Sequence, residues 1–303
     1  MKKRRQLNRQ GKFLVFVLMT LSLFFIVGLM DSHSEKEAHK KEKAVPSNAA
    51  EPLIPTFESK EMFSKSKLNQ SIQAKKLKEK EESVAQNREE QRKKDQKDKA
   101  IYLTFDDGPT THTTELLQVL DHYDAKATFF MIGPNIKQHS EVVKRIANQG
   151  LGLGLHGISH SVHDIYADKT APTKEMTEAQ QILQEITGIR SKLVRLPYGS
   201  VPYLTDDMRY LLYQNGFKIW DWNVDSKDWE LGDKRYVKQT IQEIEKLEQA
   251  DQTPVVLMHD RKKTIRYLPQ LLGYLKKNGY QTKKITNEVP ALTFTCNGRC
   301  YAI

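Results

Sequence analysis

The sequence predicts an α/β fold with a parallel sheet, either doubly wound or closed as a barrel, behind an N-terminal third that builds no domain of its own. Three observations carry this: strand-like and helix-like runs alternate from residue 100 to the end, reactive side chains recur where the strands stop, and the composition changes abruptly after Lys99.

The first run, AIYLTF (100–105), is β-rich and is followed by THTTELLQVLDHY, with apolar residues at helical spacing. Further strand-like runs lie at 127–132, 151–155, 192–196, 218–224 and 254–258. Helical stretches separate or follow them at 141–149, 174–187, 203–215, 234–249 and 265–278. Strands that each lead into a helix require parallel pairing. Gly150, Gly152 and Gly154 sit before and within a strand and not at a strand-to-helix turn, which argues against a nucleotide-binding loop.

Ahead of this region, residues 1–12 carry six positive charges and no negative one, and residues 13–30 are 18 uncharged, almost wholly apolar residues. That length suits a membrane span with its basic flank in the cytoplasm, so the bulk of the chain is expected outside the cell. A cleavable signal peptide is the rival, but Leu29, Met30 and Asp31 do not form its small-residue cleavage pattern. Residues 31–99 mix Lys, Glu, Gln and Ser and read as a charged, largely disordered tether, with a solvated helix possible over 79–99. The folded domain is then 100–303.

The formal net charge of +10 belongs to the front of the chain. Residues 1–100 hold 23 basic and 14 acidic side chains, whereas residues 101–303 hold 25 and 24. A nearly neutral folded part speaks against nucleic acid as a partner. The domain is expected to act as a monomer. With two cysteines the chain is no disulfide scaffold, and Cys296 and Cys300, flanking the turn-favouring NGR, are read either as a small disulfide or as a free tail.

The reactive residues fall at strand ends. Asp106 and Asp107 end the first strand, His156 and His160 the third, and Arg195 and Tyr198 the fourth; Asp225 and Asp228 follow the fifth, and His259 and Asp260 end the sixth. In β/α barrels active sites are built at the C-terminal ends of strands. His156 and His160, four apart, are expected on one face of a helical turn, where they can share a metal, with His163 an alternative ligand. A neighbouring carboxylate completes such a set and leaves an open coordination position, while the adjacent Asp remains free as a base.

In order and spacing, TFDDG (104–108), HGISH (156–160), RLPYG (195–199), WNVDSKDW (222–229) and LMHD (257–260) resemble the five motifs of the polysaccharide deacetylase family, also called the NodB-homology family or carbohydrate esterase family 4. The match spans 100 to about 285. The resemblance implies a distorted (β/α) barrel of about seven parallel strands. It also implies metal-dependent removal of acetyl groups from N-acetylglucosamine polymers, here cell-wall peptidoglycan, with one divalent ion, zinc. By position it makes Asp107, His156 and His160 the metal ligands and Asp106 the base that deprotonates the attacking water. Arg195 would pair with Asp106 and aim it, and the Tyr198 N–H would hold the oxyanion. His259 would protonate the leaving amine, oriented by Asp228, while Leu257 and Trp222 would form the wall that receives the acetyl methyl.

Two positions depart from the family pattern. Gly157 stands where Ser or Thr is usual, so the metal loop is expected to be less well supported, and a Gly157→Ser change to tighten metal binding. Leu196 replaces a common Pro but leaves the Tyr198 N–H in place. Chitin-like or O-acetylated substrates, or a wall-binding protein without turnover, are the competing functions.

Overall fold

The structure, a computed structural model, describes residues 57–302, with side chains from Ile72 onward. No described helix is long and apolar enough to cross a membrane, and the expected span at 13–30 lies outside the described residues. The described residues from Lys67 onward form one compact unit.

In the described part of the charged stretch, the solvated helix expected over 79–99 begins earlier, at residue 57, where the sequence predicts a largely disordered chain. This helix, α1 (Phe57–Lys97), forms because Lys, Glu and Gln are good helix formers and pairs such as Lys75–Glu79 and Lys78–Glu82 lie four apart. Its end docks onto the domain through Asp95, which is buried, accepts from the Tyr102 hydroxyl at 3.0 Å and faces Lys283 Nζ at 3.2 Å.

Strand β1 (Ala100–Asp106) is buried along its whole length and sits centrally. It pairs in parallel with β2 (Thr128–Met131) and with β7 (Val255–His259). The ribbon continues outward through β3 (Gly152–Leu155), β4 (Leu193–Val194) and β5 (Lys218–Ile219) on one side, and through β6 (Val224–Asp225) on the other. All these pairings are parallel. Among the described residues no ladder joins β5 to β6, so seven parallel strands make an incomplete barrel. An eighth strand, β8 (Gln281–Lys283), which the sequence pattern did not reveal, pairs with the start of β1.

The expected strand at 218–224 is thus two short strands at opposite ends of the sheet. Trp220 N–H still bonds back to Val194 O on one side, while Asn223 N–H bonds Val255 O on the other, so the intervening residues cross the gap. No helix separates β5 from β6.

Alternation along the strands sorts the core. Ile101, Leu103, Phe105, Phe129 and Met131 join the cluster that buries the helices, including α2 (Thr113–His122), α6 (Ala171–Thr187), α7 (Asp206–Gln214), α9 (Arg235–Gln249) and α10 (Lys262–Lys277). Tyr102, Phe130, Leu193, Trp220 and Val255 form a second cluster. The β3 glycines belong to the sheet packing: a Cβ at Gly152 would stand 2.4 Å from Thr128 Oγ1, and one at Gly154 would stand 2.5 Å from Phe130 Cδ1. Close approach of the neighbouring strand's side chains, not a ligand, accounts for them.

Candidate active site

Strand β1 stops at Asp106, which is buried, and the chain turns through Asp107 in a left-handed conformation (φ 70°). Few residues other than glycine adopt that conformation without support. Here Asn135, on α3 (Gly133–Gln138), donates from Nδ2 to the Asp107 carbonyl at 2.8 Å. From the other side the buried Asp260 packs against Gly108 and accepts from Thr110 and Thr113, fixing the turn that carries both carboxylates. Burial raises the Asp260 pKa.

His156 follows β3, and its N–H continues the ladder to Met131 O at 2.8 Å. Its Nδ1 lies 2.7 Å from the carbonyl of Arg195; as the donor in that bond it leaves Nε2 as the free lone pair. His160 reaches the same point, but not along a helical turn. Residues 157–160 are an irregular loop with Gly157 at φ 82° and His160 at φ 49°, and that reversal brings the two rings to 5.2 Å between centroids. His163 is exposed on the short helix α5 (Val162–Ile165), outside the cluster.

Asp107 Oδ1 sits 3.1 Å from His160 Nε2 and 3.5 Å from His156 Nε2, and it is a buried oxygen with no hydrogen-bond partner. One oxygen and two imidazole nitrogens within 4.8 Å of one another, the oxygen otherwise unsatisfied, fit a divalent metal with ligands of the zinc type. The Asp107 pKa is lowered: burial would raise it, but the facing histidines outweigh burial. Burial lowers the His156 pKa, which favours the neutral ring a metal requires.

Beside this cluster, Arg195 is fully buried and uses its whole fork. Nη1 donates to Asp106 Oδ1 at 3.0 Å and to Thr104 Oγ1 at 2.6 Å, Nε to Trp220 O at 3.1 Å, and Nη2 to Asp221 O at 3.0 Å. Its guanidinium carbon stands 4.2 Å from the centroid of the Phe130 ring. The arginine therefore ties β1 and β4 to the chain crossing the barrel gap.

Across the β1–β7 ladder, His259 is the register partner of Asp106. His259 Nδ1 lies 2.8 Å from Asp228 Oδ1, and Asp228 Oδ2 accepts from the His259 N–H at 2.9 Å and from the Thr264 hydroxyl. Burial alone would lower the His259 pKa, yet the bond and charge of Asp228 raise it. The Asp228 pKa is lowered in turn, its burial outweighed by His259. Asp225 accepts from the Lys227 N–H in a turn, which is an ordinary structural role.

Tyr198 is left-handed (φ 66°), and its N–H meets no acceptor among the described residues. Its ring is 54% exposed beside His160. Leu257 is buried two residues before His259, opposite Thr104. Trp222 stacks edge-on against Phe294, and its ring end approaches Gly199. Sequence reasoning passed over Trp229, 51% exposed directly after Asp228, and Asn135, Glu175 and Thr264. Of these, only Trp229 stood within a recognised motif. Cys296 and Cys300 form a disulfide, which displaces the free-tail alternative.

Known proteins resemble this chain in sequence and in fold. A family model described as polysaccharide deacetylase matches residues 93–220. YheN of Bacillus subtilis is 45% identical over 192 residues, covering 63% of this chain and 68% of that one. A peptidoglycan-N-acetylglucosamine deacetylase of Bacillus cereus is 40% identical over 187 residues, 60% of this chain and 68% of its own length. The crystal structure of the polysaccharide deacetylase Bc1974 from Bacillus cereus superposes with a TM-score of 0.59 at 36% identity, covering 66% of this chain and 98% of that one. The catalytic domain of a peptidoglycan N-acetylglucosamine deacetylase from Eubacterium rectale gives 0.58 at 29% identity, covering 65% and 93%. By these relatives and by its fold, the chain belongs to the polysaccharide deacetylase family, hydrolases acting on carbon–nitrogen bonds other than peptide bonds.

Proposed function

We propose that this protein is a membrane-anchored, metal-dependent deacetylase of N-acetylglucosamine in peptidoglycan, held by residues 13–30 with its catalytic domain outside the cell. The observation that carries the reading is the unpartnered Asp107 Oδ1 facing two imidazole Nε2 atoms, with a buried Arg–Asp pair on one side and a His–Asp pair on the other. The names of relatives at 40% and 29% identity support the glycan assignment.

Asp107, His156 and His160 would hold the ion. When bound, such a metal supplies Lewis acidity, lowering the pKa of water and polarising a carbonyl. Asp106, aimed by Arg195, takes the proton from the attacking water. The Tyr198 N–H is free to receive the oxyanion. His259, whose raised pKa keeps it protonated to higher pH, gives its proton to the leaving nitrogen, so that the amide becomes acetate and a free amine. Leu257 and Trp222 would border the acetyl methyl, and the exposed rings of Tyr198 and Trp229 offer faces for sugar stacking.

The test is acetate release by the full-length protein from purified peptidoglycan and from chitin oligomers, with and without chelator. Chelator-sensitive release from peptidoglycan is expected. Release from chitin alone would move the substrate assignment, and no release from either would overturn the reading.

A further inference from the structure

We propose that Glu175 is a positioning residue for the metal-holding loop, bracing the segment between His156 and His160 from behind. The inference rests on the reading that these histidines and Asp107 hold a metal.

Only three residues, Gly157, Ile158 and Ser159, separate the two histidines. They are neither helical nor paired in the sheet, so their N–H groups need partners elsewhere. Glu175, in the second turn of α6, supplies them. Its Oε2 accepts from the Ile158 N–H at 2.9 Å and from the Ser159 N–H at 3.2 Å, and its Oε1 accepts from the Ser159 hydroxyl at 2.6 Å. Successive N–H groups converging on one anion form a nest, normally an anion-binding feature; here the anion comes from the protein itself. Glu175 is well anchored, because its neighbours Met176 and Ala179 on α6 are fully buried.

Gly157 belongs to the same device. Its φ of 82° suits glycine, and a Cβ there would stand 2.8 Å from Glu175 Oε2, so any side chain would strain the loop and push the carboxylate away. On the loop's other side, Gly157 O accepts from the Gly133 N–H at 2.9 Å. The loop is thus held between α6 and the start of α3. Support expected from a hydroxyl at residue 157 comes instead from a carboxylate 18 positions further along the chain, which makes the expected weakness of the loop unnecessary.

The experiment measures zinc affinity of the full-length protein by competition with a chromogenic chelator, alongside the melting temperature of the metal-free protein. Glu175→Ala is expected to weaken zinc binding about 10- to 100-fold, the usual effect of losing a residue that orients a ligand. Glu175→Gln is expected to stay within a few-fold of wild type, since its carbonyl can accept both N–H groups while its amide donates to Ser159 Oγ. Should Glu175→Ala fail to fold, Ser159→Ala, which removes the hydroxyl's short bond to Glu175 together with its long 3.3 Å bond from the Ser161 N–H, carries the test with an expected several-fold loss. Wild-type affinity in the folded Glu175→Ala protein, or in Ser159→Ala if it must stand in, would overturn the proposal. Failure of the wild-type protein to bind zinc would instead overturn the underlying reading of the site, and this proposal with it.

Discussion

The carbonyl of Arg195 lies 2.7 Å from His156 Nδ1, while the same residue's guanidinium bonds Asp106 Oδ1 at 3.0 Å. One buried residue therefore sets both the tautomer of a candidate ligand and the direction of the candidate base. Main chain and side chain do separate jobs, so a substitution at Arg195 leaves the first contact available and removes the second.

Arg195→Ala strands Asp106 in a buried environment without its cation. Breaking such a pair costs about 3–5 kcal/mol, and a domain of this size loses about 2–4 °C of melting temperature per kcal/mol. Arg195→Lys keeps the charge but cannot reproduce a fork with four partners, so a smaller loss of stability and a large fall in kcat are expected. Thermal melts and acetate release measure the two effects separately.

Asp106→Asn is expected to lower kcat by about 100- to 10,000-fold, the range for loss of a general base, with zinc affinity nearly unchanged. The asparagine can still accept from Arg195 but cannot take a proton. Equal loss of zinc binding would assign Asp106 to the metal instead.

Asp228→Asn removes the negative charge that holds the His259 pKa up. His259 then loses its proton at lower pH, and a general acid works only while protonated. The alkaline limb of the kcat profile is therefore expected to move to lower pH, with the acidic limb little changed. A shift in the opposite direction, or none, would count against His259 as the acid.

Gly157→Ser is expected to destabilise the protein and weaken zinc binding, the reverse of what the family pattern alone suggests. A non-glycine residue in the left-handed region costs about 1–2 kcal/mol, and the new Cβ would collide with Glu175 Oε2. Tighter zinc binding in this variant would show that the loop can rearrange around a side chain.

The barrel strands were legible because buried parallel strands are short apolar runs, and β1, β2, β3 and β7 all are. The candidate site was legible because strand ends concentrate it: Asp106, Asp107, His156, Arg195, Asp228 and His259 each stand within one to three residues of a strand boundary. The run 218–224 misled because its apolar residues serve two separate strands and a crossing between them. Strand β8 was invisible because Gln281, Thr282 and Lys283 carry almost no hydrophobic signal. The four-residue spacing of His156 and His160 suggests a helical turn, but Gly157 turns the chain left-handed and the two rings meet across a loop.

The sequence by itself determined the alternation of the central strands with helices, the division between a charged front and a nearly neutral domain, and which side chains can take protons or bind a metal. These follow from periodicity and residue chemistry, both local. The tertiary structure alone decided that the barrel stays open between β5 and β6, that Arg195 bridges this gap to Asp106, and that Glu175 braces the histidine loop. The last two depend on one side chain satisfying main-chain groups up to 26 positions away, at Asp221, or a carboxylate 89 positions away, at Asp106. Such demands come from burial, where an unpaired polar group is costly, and burial exists only once the chain has folded.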